Sequence, residues 1–306
     1  MNFAGVLAPI PTPFDEHDRV DTARLKSALQ KWMATSLDGV VVLGSNGEAA
    51  LMDDFESDQV IVAARDVVPP SRRFIVGTGR ESTQAAVRAS KRAAEHGADA
   101  VLVRTPGFFK TQMTNDAFVR HYTAVADASP VPVLLYNFTA VTGVNLLPAA
   151  VARIATHPNV VGMKESGGDI GQIADLVTST PATFGMIAGS AGTFYPALNV
   201  GAVGGILALA NVLPDACTKL FTLTKAGRHE EAIAVQRRLM PMAKLLGQQY
   251  GVPGLKAALS LIGYDVGMPR PPLAPLPEAA VAALRDALAQ FEEIPRRSPH
   301  EFAPGE

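Results

Sequence analysis

Lys164 closes the run Asn159-Val-Val-Gly-Met-Lys164, and Tyr136 closes Val131-Pro-Val-Leu-Leu-Tyr136. The stem of a lysine at the end of an apolar run is surrounded by nonpolar side chains. Desolvation disfavours the ammonium form, lowers the amine pKa and frees a nucleophile for a carbonyl carbon. The same lysine could instead snorkel to solvent or pair with Glu165. A phenol in the matching place can shuttle a proton, or simply bury its ring and wet its hydroxyl. The two residues end successive apolar runs, one strand–helix unit apart, and that pairing raises both above a solitary polar side chain.

A third candidate is Gly44-Ser-Asn-Gly-Glu48, which follows the run Gly39-Val-Val-Val-Leu43. Glycines around hydroxyl and amide side chains let consecutive backbone N–H groups converge on an anion. An ordinary turn capping the next helix reads the same way. Gly189-Ser-Ala-Gly192 and Gly201-Ala-Val-Gly-Gly205 are equally open to tight turns or close packing. Other signals fail. Gly77-Thr-Gly79 meets Ser82 where a dinucleotide fingerprint needs glycine, and no Walker A, Gly-x-Ser-x-Gly or His-Glu-x-x-His element occurs. The six histidines are scattered without ligand spacing, so no metal site is expected. Asn137-Phe-Thr139 has the form of a glycosylation sequon, but its place at a strand end argues against modification.

These residues need a scaffold. Apolar runs recur at Gly5–Ile10, Gly39–Leu43, Arg73–Gly77, Ala98–Val103, Val131–Tyr136, Asn159–Lys164, Thr183–Ala188 and Ala202–Leu207. Near-continuous apolar strands are buried on both faces, as in a parallel sheet covered by helices. Helical patterns lie between them at Thr22–Thr35, Ser82–His96, Met113–Ala128 and Leu147–Thr156. Eight strands alternating with helices point to an α/β protein, a (β/α)8 TIM barrel, rather than a doubly wound open sheet. Its C-terminal strand ends would gather Ser45, Asn46, Tyr136, Lys164 and Ser190 at one mouth. Beyond the barrel, helices are expected over Lys225–Gln249, Gly254–Ile262 and Glu278–Ile294, with a frayed tail from Pro295. The division is a barrel over 1–225 and a C-terminal helical appendage over 226–306, with the boundary near Ala226.

Composition bounds the function. Of 306 residues, 48% are hydrophobic and 18% charged, which supplies a core and excludes global disorder. A net charge of −2 offers no footprint for nucleic acid. Apolar stretches such as Gly201–Leu213 are too short to span a bilayer. The start Met1–Ile10 lacks a basic region and runs into Pro9, Pro11 and Pro13, so no signal peptide is expected. The lone Cys217 fits a small core residue in a reducing compartment. A cytoplasmic location is the expectation.

Together, Gly44-Ser-Asn-Gly-Glu48, Tyr136-Asn137, Gly162-Met-Lys-Glu165 and Gly204-Gly-Ile206 resemble the dihydrodipicolinate synthase/N-acetylneuraminate lyase family. The resemblance runs from Gly5-Val-Leu-Ala-Pro-Ile-Pro-Thr-Pro-Phe14 through Val252-Pro-Gly-Leu-Lys256. It implies that Lys164 forms a Schiff base with C2 of a 2-oxo acid, usually pyruvate, and that Tyr136 shuttles protons. It further implies that Ser45 and Asn46 hold the substrate carboxylate and that the Ile206 backbone lines the pyruvate pocket. No cofactor, a small-molecule 2-oxo acid as partner and a homotetramer also follow from it.

Within the family, Val161-Gly-Met-Lys-Glu-Ser-Gly-Gly-Asp169, Ala188-Gly-Ser-Ala-Gly192 and Ala208-Leu-Ala-Asn-Val212 look like 4-hydroxy-2-oxoglutarate aldolases. Val141 stands where the synthases carry a carboxylate-gripping arginine, and an apolar side chain cannot make that contact. Phe108-Phe109 stands where the family has a tyrosine pair, so the proton relay from Ser45 to Tyr136 lacks a hydroxyl or uses water. The resemblance thus implies a class I lyase releasing pyruvate from a 4-hydroxy-2-oxo acid. A 2-keto-3-deoxy sugar acid dehydratase, a synthase-like enzyme and an impaired 2-oxo acid binding protein are the alternatives.

Overall fold

The computed structural model describes residues 3–291. Its parallel strands are β1 (Gly5–Pro9), β2 (Gly39–Val42), β3 (Arg73–Gly77), β4 (Ala100–Arg104), β5 (Val133–Asn137), β6 (Val160–Glu165), β7 (Gly185–Ala188) and β8 (Gly204–Ile206). They pair in chain order, and β8 closes on β1. The expected eight-stranded barrel is present.

Alternation along each strand explains the continuous apolar runs. Leu7, Val41, Ile75, Leu102, Leu134, Ile187 and Ile206 fill the barrel interior with Tyr136. Their neighbours Val6, Val40, Val42, Val101, Val103, Leu135 and Met163 pack outward against the helices. Both faces are dry, so neither needs polar residues. Glycine fits where strands and loops press together. A Cβ on Gly77 would lie 1.9 Å from the Leu43 carbonyl oxygen, and one on Gly204 would lie 2.3 Å from that of Gly5. Close approach, not nucleotide binding, accounts for these glycines.

The helices that follow the strands are α1 (Thr22–Met33), α2 (Asp54–Arg65), α3 (Thr83–Glu95), α4 (Asn115–Ala128), the short α5 (Thr139–Thr142), α6 (Pro148–Ile154), α7 (Ile170–Ser179), α8 (Phe194–Asn199) and α9 (Pro214–Lys225). Caps set their starts. Asp21, Ser82 and Thr114 each accept a backbone N–H three residues on, and Asp53 with Glu56 forms a reciprocal capping box. In α1, Leu25, Leu29 and Trp32 are buried, and the Trp32 indole donates to the Asn211 carbonyl at 3.0 Å. Truncating Trp32 to alanine should remove about 3–5 kcal/mol.

The stretch read as one helix over Lys225–Gln249 is broken. Lys225 ends α9, Gly227 turns the chain at φ +72°, and α10 (His229–Lys244) then runs into a wider turn over Leu245–Gln249. Helix α11 (Gly251–Leu261) starts earlier than Gly254, because Pro253 fits its first turn. Helix α12 spans Glu278–Leu288. The tail expected over 295–306 lies outside the described residues. Among the described residues, no helix is long and apolar enough to cross a membrane.

Candidate active site

Strands β5 and β6 set Tyr136 beside Lys164, and Asn137 beside Glu165, in register. Tyr136 and Lys164 share the inner face. Lys164 is only 6% exposed, and its Nζ lies 4.3 Å from the centre of the Tyr136 ring. It therefore does not snorkel into solvent. Nor does it pair with Glu165, whose carboxylate is turned to the other face of the strand. There it accepts from Asn137 Nδ2 at 2.7 Å, Gln172 Nε2 at 3.1 Å and the Gly167 N–H. Burial pushes the Glu165 carboxyl above the usual range, and these hydrogen bonds work against that rise. Asn137 is fully buried and engaged: its Oδ1 accepts from the Leu146 N–H at 3.0 Å and its Nδ2 also donates to Asn145. Such an asparagine is no acceptor for a glycan.

The Gly44–Glu48 loop brings Ser45 to the same place. Ser45 Oγ lies 3.3 Å from Tyr136 Oη. The loop is folded on itself: the Gly47 N–H donates to the Gly44 carbonyl, the Glu48 N–H to that of Ser45, and Thr12 Oγ1 to that of Gly47 at 2.6 Å. No described residue accepts from the N–H of Ser45 or Asn46. Two residues here adopt left-handed backbone without being glycine, Leu43 at φ +56° and Glu48 at φ +57°. Strain of this kind costs about 1–3 kcal/mol per residue and needs surroundings that enforce it.

Ile206 sits opposite Leu7 on β1, fully buried in the cluster that holds Tyr136. Phe108 and Phe109 are 77% and 68% exposed and meet edge to face at 5.1 Å. Glu81 holds their loop by accepting from the Gly107 and Phe108 N–H groups at 2.8 and 2.9 Å. Val141 is exposed on α5. Ser190 precedes the turn after β7. Cys217 is buried in α9, and burial pushes its thiol up to about 12. Among the described residues no cluster of three His, Cys, Asp or Glu is placed to hold a metal.

Sequence reasoning did not single out Glu48, Lys256 or Arg270 as parts of this region. Lys256 Nζ lies 2.7 Å from Glu48 Oε1, both side chains being buried, and the Arg270 N–H donates to Glu48 Oε2 at 2.8 Å. The available signal was a lone lysine inside the apolar stretch Val252-Pro-Gly-Leu-Lys-Ala-Ala-Leu259.

Chemically, the assembled groups are complementary. A secluded amine can condense with a ketone, and a phenol bonded to a hydroxyl can take and return a proton. Two unbonded backbone N–H groups and a serine hydroxyl can receive a carboxylate.

The model of the Dihydrodipicolinate synthetase family matches residues 2–291. A 4-hydroxy-tetrahydrodipicolinate synthase from an Exiguobacterium species is 35% identical over 292 residues, covering 95% of this chain and 99% of the relative. A protein of Emericella nidulans named as a probable mitochondrial 4-hydroxy-2-oxoglutarate aldolase is 36% identical over 299 residues, covering 96% of each chain. Among solved structures, the dihydrodipicolinate synthase of Acinetobacter baumannii complexed with pyruvate superposes with a TM-score of 0.90 at 29% identity. That match covers 94% of this chain and 99% of the other.

Proposed function

This chain belongs to the Dihydrodipicolinate synthetase family and is a pyruvate-dependent lyase, and on that premise we propose that it cleaves a 4-hydroxy-2-oxo acid, such as 4-hydroxy-2-oxoglutarate, through an imine on Lys164. The observation that carries this reading is the trio at one mouth: Lys164 Nζ 4.3 Å over the Tyr136 ring, and Tyr136 Oη 3.3 Å from Ser45 Oγ.

In this reading the Ser45 hydroxyl and the N–H groups of Ser45 and Asn46 hold the C1 carboxylate, and the Ile206 backbone lines the pocket. Positioning matters because the reacting atoms must meet at near-contact distance. Lys164 Nζ adds to C2, and water leaves as the protonated imine forms. Tyr136 takes the proton from the C4 hydroxyl while the C3–C4 bond breaks. Its electron pair moves to C3 and the imine nitrogen, giving an aldehyde and an enamine. Protonation at C3 and hydrolysis of the imine then release pyruvate and restore Lys164. The enamine spares the reaction a free carbanion.

Val141 favours cleavage over a synthase reaction, since the exposed surface of α5 offers a valine to a second carboxylated substrate. The Exiguobacterium relative supports the synthase as a second reading. We also propose a homotetramer, in which another copy would cover the exposed Phe108–Phe109 pair.

Product analysis on a panel of 2-oxo acids tests the choice. Cleavage should give pyruvate and aldehyde in equal amounts from a 4-hydroxy-2-oxo dicarboxylate. Water loss from a 3-deoxy sugar acid, condensation of pyruvate with an amino aldehyde, or binding without turnover would each contradict it.

A further inference from the structure

Glu48 ends the loop that carries Ser45 and Asn46, and segments more than 200 positions away hold it there. Its carboxylate, 3% exposed, meets Lys256 Nζ at 2.7 Å and accepts from the Arg270 N–H at 2.8 Å, across 222 positions of sequence. Lys256, 2% exposed, also donates to the Met268 carbonyl at 2.8 Å and lies 4.6 Å from the centre of the Phe14 ring. Arg270 stacks on Phe14 too, at 4.1 Å. Its guanidinium donates to the carbonyls of Leu51 and Asp18 and to both oxygens of Glu56 at the start of α2. Helix α11 and the irregular segment after it thus grip the loop from behind.

A buried ion pair is a poor source of stability, because desolvation offsets the attraction. Burial works against the Lys256 ammonium more strongly than Glu48 supports it. What the pair does fix is geometry. Glu48 is held in a left-handed conformation that only enforced contacts maintain, and its N–H is bonded to the Ser45 carbonyl.

We propose that Glu48 and Lys256 are positioning residues for the substrate carboxylate, locking the Ser45–Asn46 N–H groups into a converged cradle from the C-terminal helices. This rests on the imine reading given above, in which that cradle receives the carboxylate of pyruvate. Lys164 and Tyr136 stand on other strands, so loss of the lock weakens carboxylate binding and leaves imine formation at saturation intact.

The test is the pyruvate concentration that half-saturates borohydride trapping, measured on the full chain. It is compared with the value for pyruvamide, a ketone of like size without the carboxylate charge. The double variant Glu48→Gln with Lys256→Met removes both charges together and keeps an acceptor for the Arg270 N–H. Its half-saturating pyruvate should rise about 10- to 100-fold, the loss of a charge-assisted contact. Its value for pyruvamide and its maximal trapping should stay near those of the parent. Lys256→Arg should recover part of the loss, and Glu48→Gln alone, read in the same way, serves if the double variant does not fold. An unshifted half-saturation for pyruvate in a folded variant, or an equal shift for pyruvamide, would overturn the proposal. Absence of trapping in the parent protein is a separate result, and it would overturn the imine reading itself.

Discussion

At the scale of single residues, the burial of Lys164 removes the snorkelling role that its sequence position leaves open. At 6% exposure, above an aromatic ring and with Glu165 turned away, the amine is neither a surface charge nor half of an adjacent ion pair. Tyr136 Oη and Ser45 Oγ stand together, so a proton path through them would need no hydroxyl at position 108 or 109 for that link. Replacing Tyr136 with phenylalanine keeps the ring beneath Lys164 and removes only the oxygen. Turnover should then fall by about 10²–10⁴, while borohydride still traps pyruvate on the amine. Unchanged turnover in a folded Y136F protein would show that the hydroxyl is not acting as the acid-base group. Lys164 and Tyr136 were legible because a polar residue ending an apolar run is conspicuous, and Ser45 because glycines bracket it in the loop after such a run. Glu48 was not, because a glutamate after Gly47 reads equally as a solvated turn.

Strands and helices differ in how plainly the sequence announces them. Each strand is dry on both faces, so its run of Val, Ile and Leu stands out. Helix α2 was missed although Asp53 and Glu56 form a capping box, because its Phe55 and Val62 face solvent and blur the apolar stripe. Helix α8 is too short to show a period, and Gly227 interrupts what looks like one helix after Lys225. Between the tips of β5 and β6, the Asn137–Glu165 contact is a side-chain tie beside the catalytic candidates, next to the backbone bond from the Ser166 N–H to the Asn137 carbonyl. Since burial raises the Glu165 pKa, the folded state holds that proton more tightly than the unfolded chain. The resulting stabilisation is complete below the ordinary carboxylate pKa and is lost as pH rises through the raised one. Glu165→Gln carries no such charge, so its unfolding midpoint relative to the parent should improve on going from acid to neutral pH. A difference that is flat with pH would mean that the carboxyl does not titrate differently on folding.

At the scale of the whole molecule, the barrel and its mouth follow from repeated local patterns, but the lock on the Ser45 loop does not. Its members, Phe14, Glu48, Lys256 and Arg270, lie far apart along the chain and are brought together by the fold. No spacing rule links them. The C-terminal helices, which in sequence look like an appendage, reach the back of the loop at the mouth. The closest test of the proposed chemistry is intact-mass analysis of the protein reduced with borohydride in the presence of pyruvate, followed by peptide mapping. One reduced pyruvyl group per chain, located on Lys164 and absent from Lys164→Met, is the expected result. An unmodified chain, or a pyruvyl group carried by a different lysine, would contradict it.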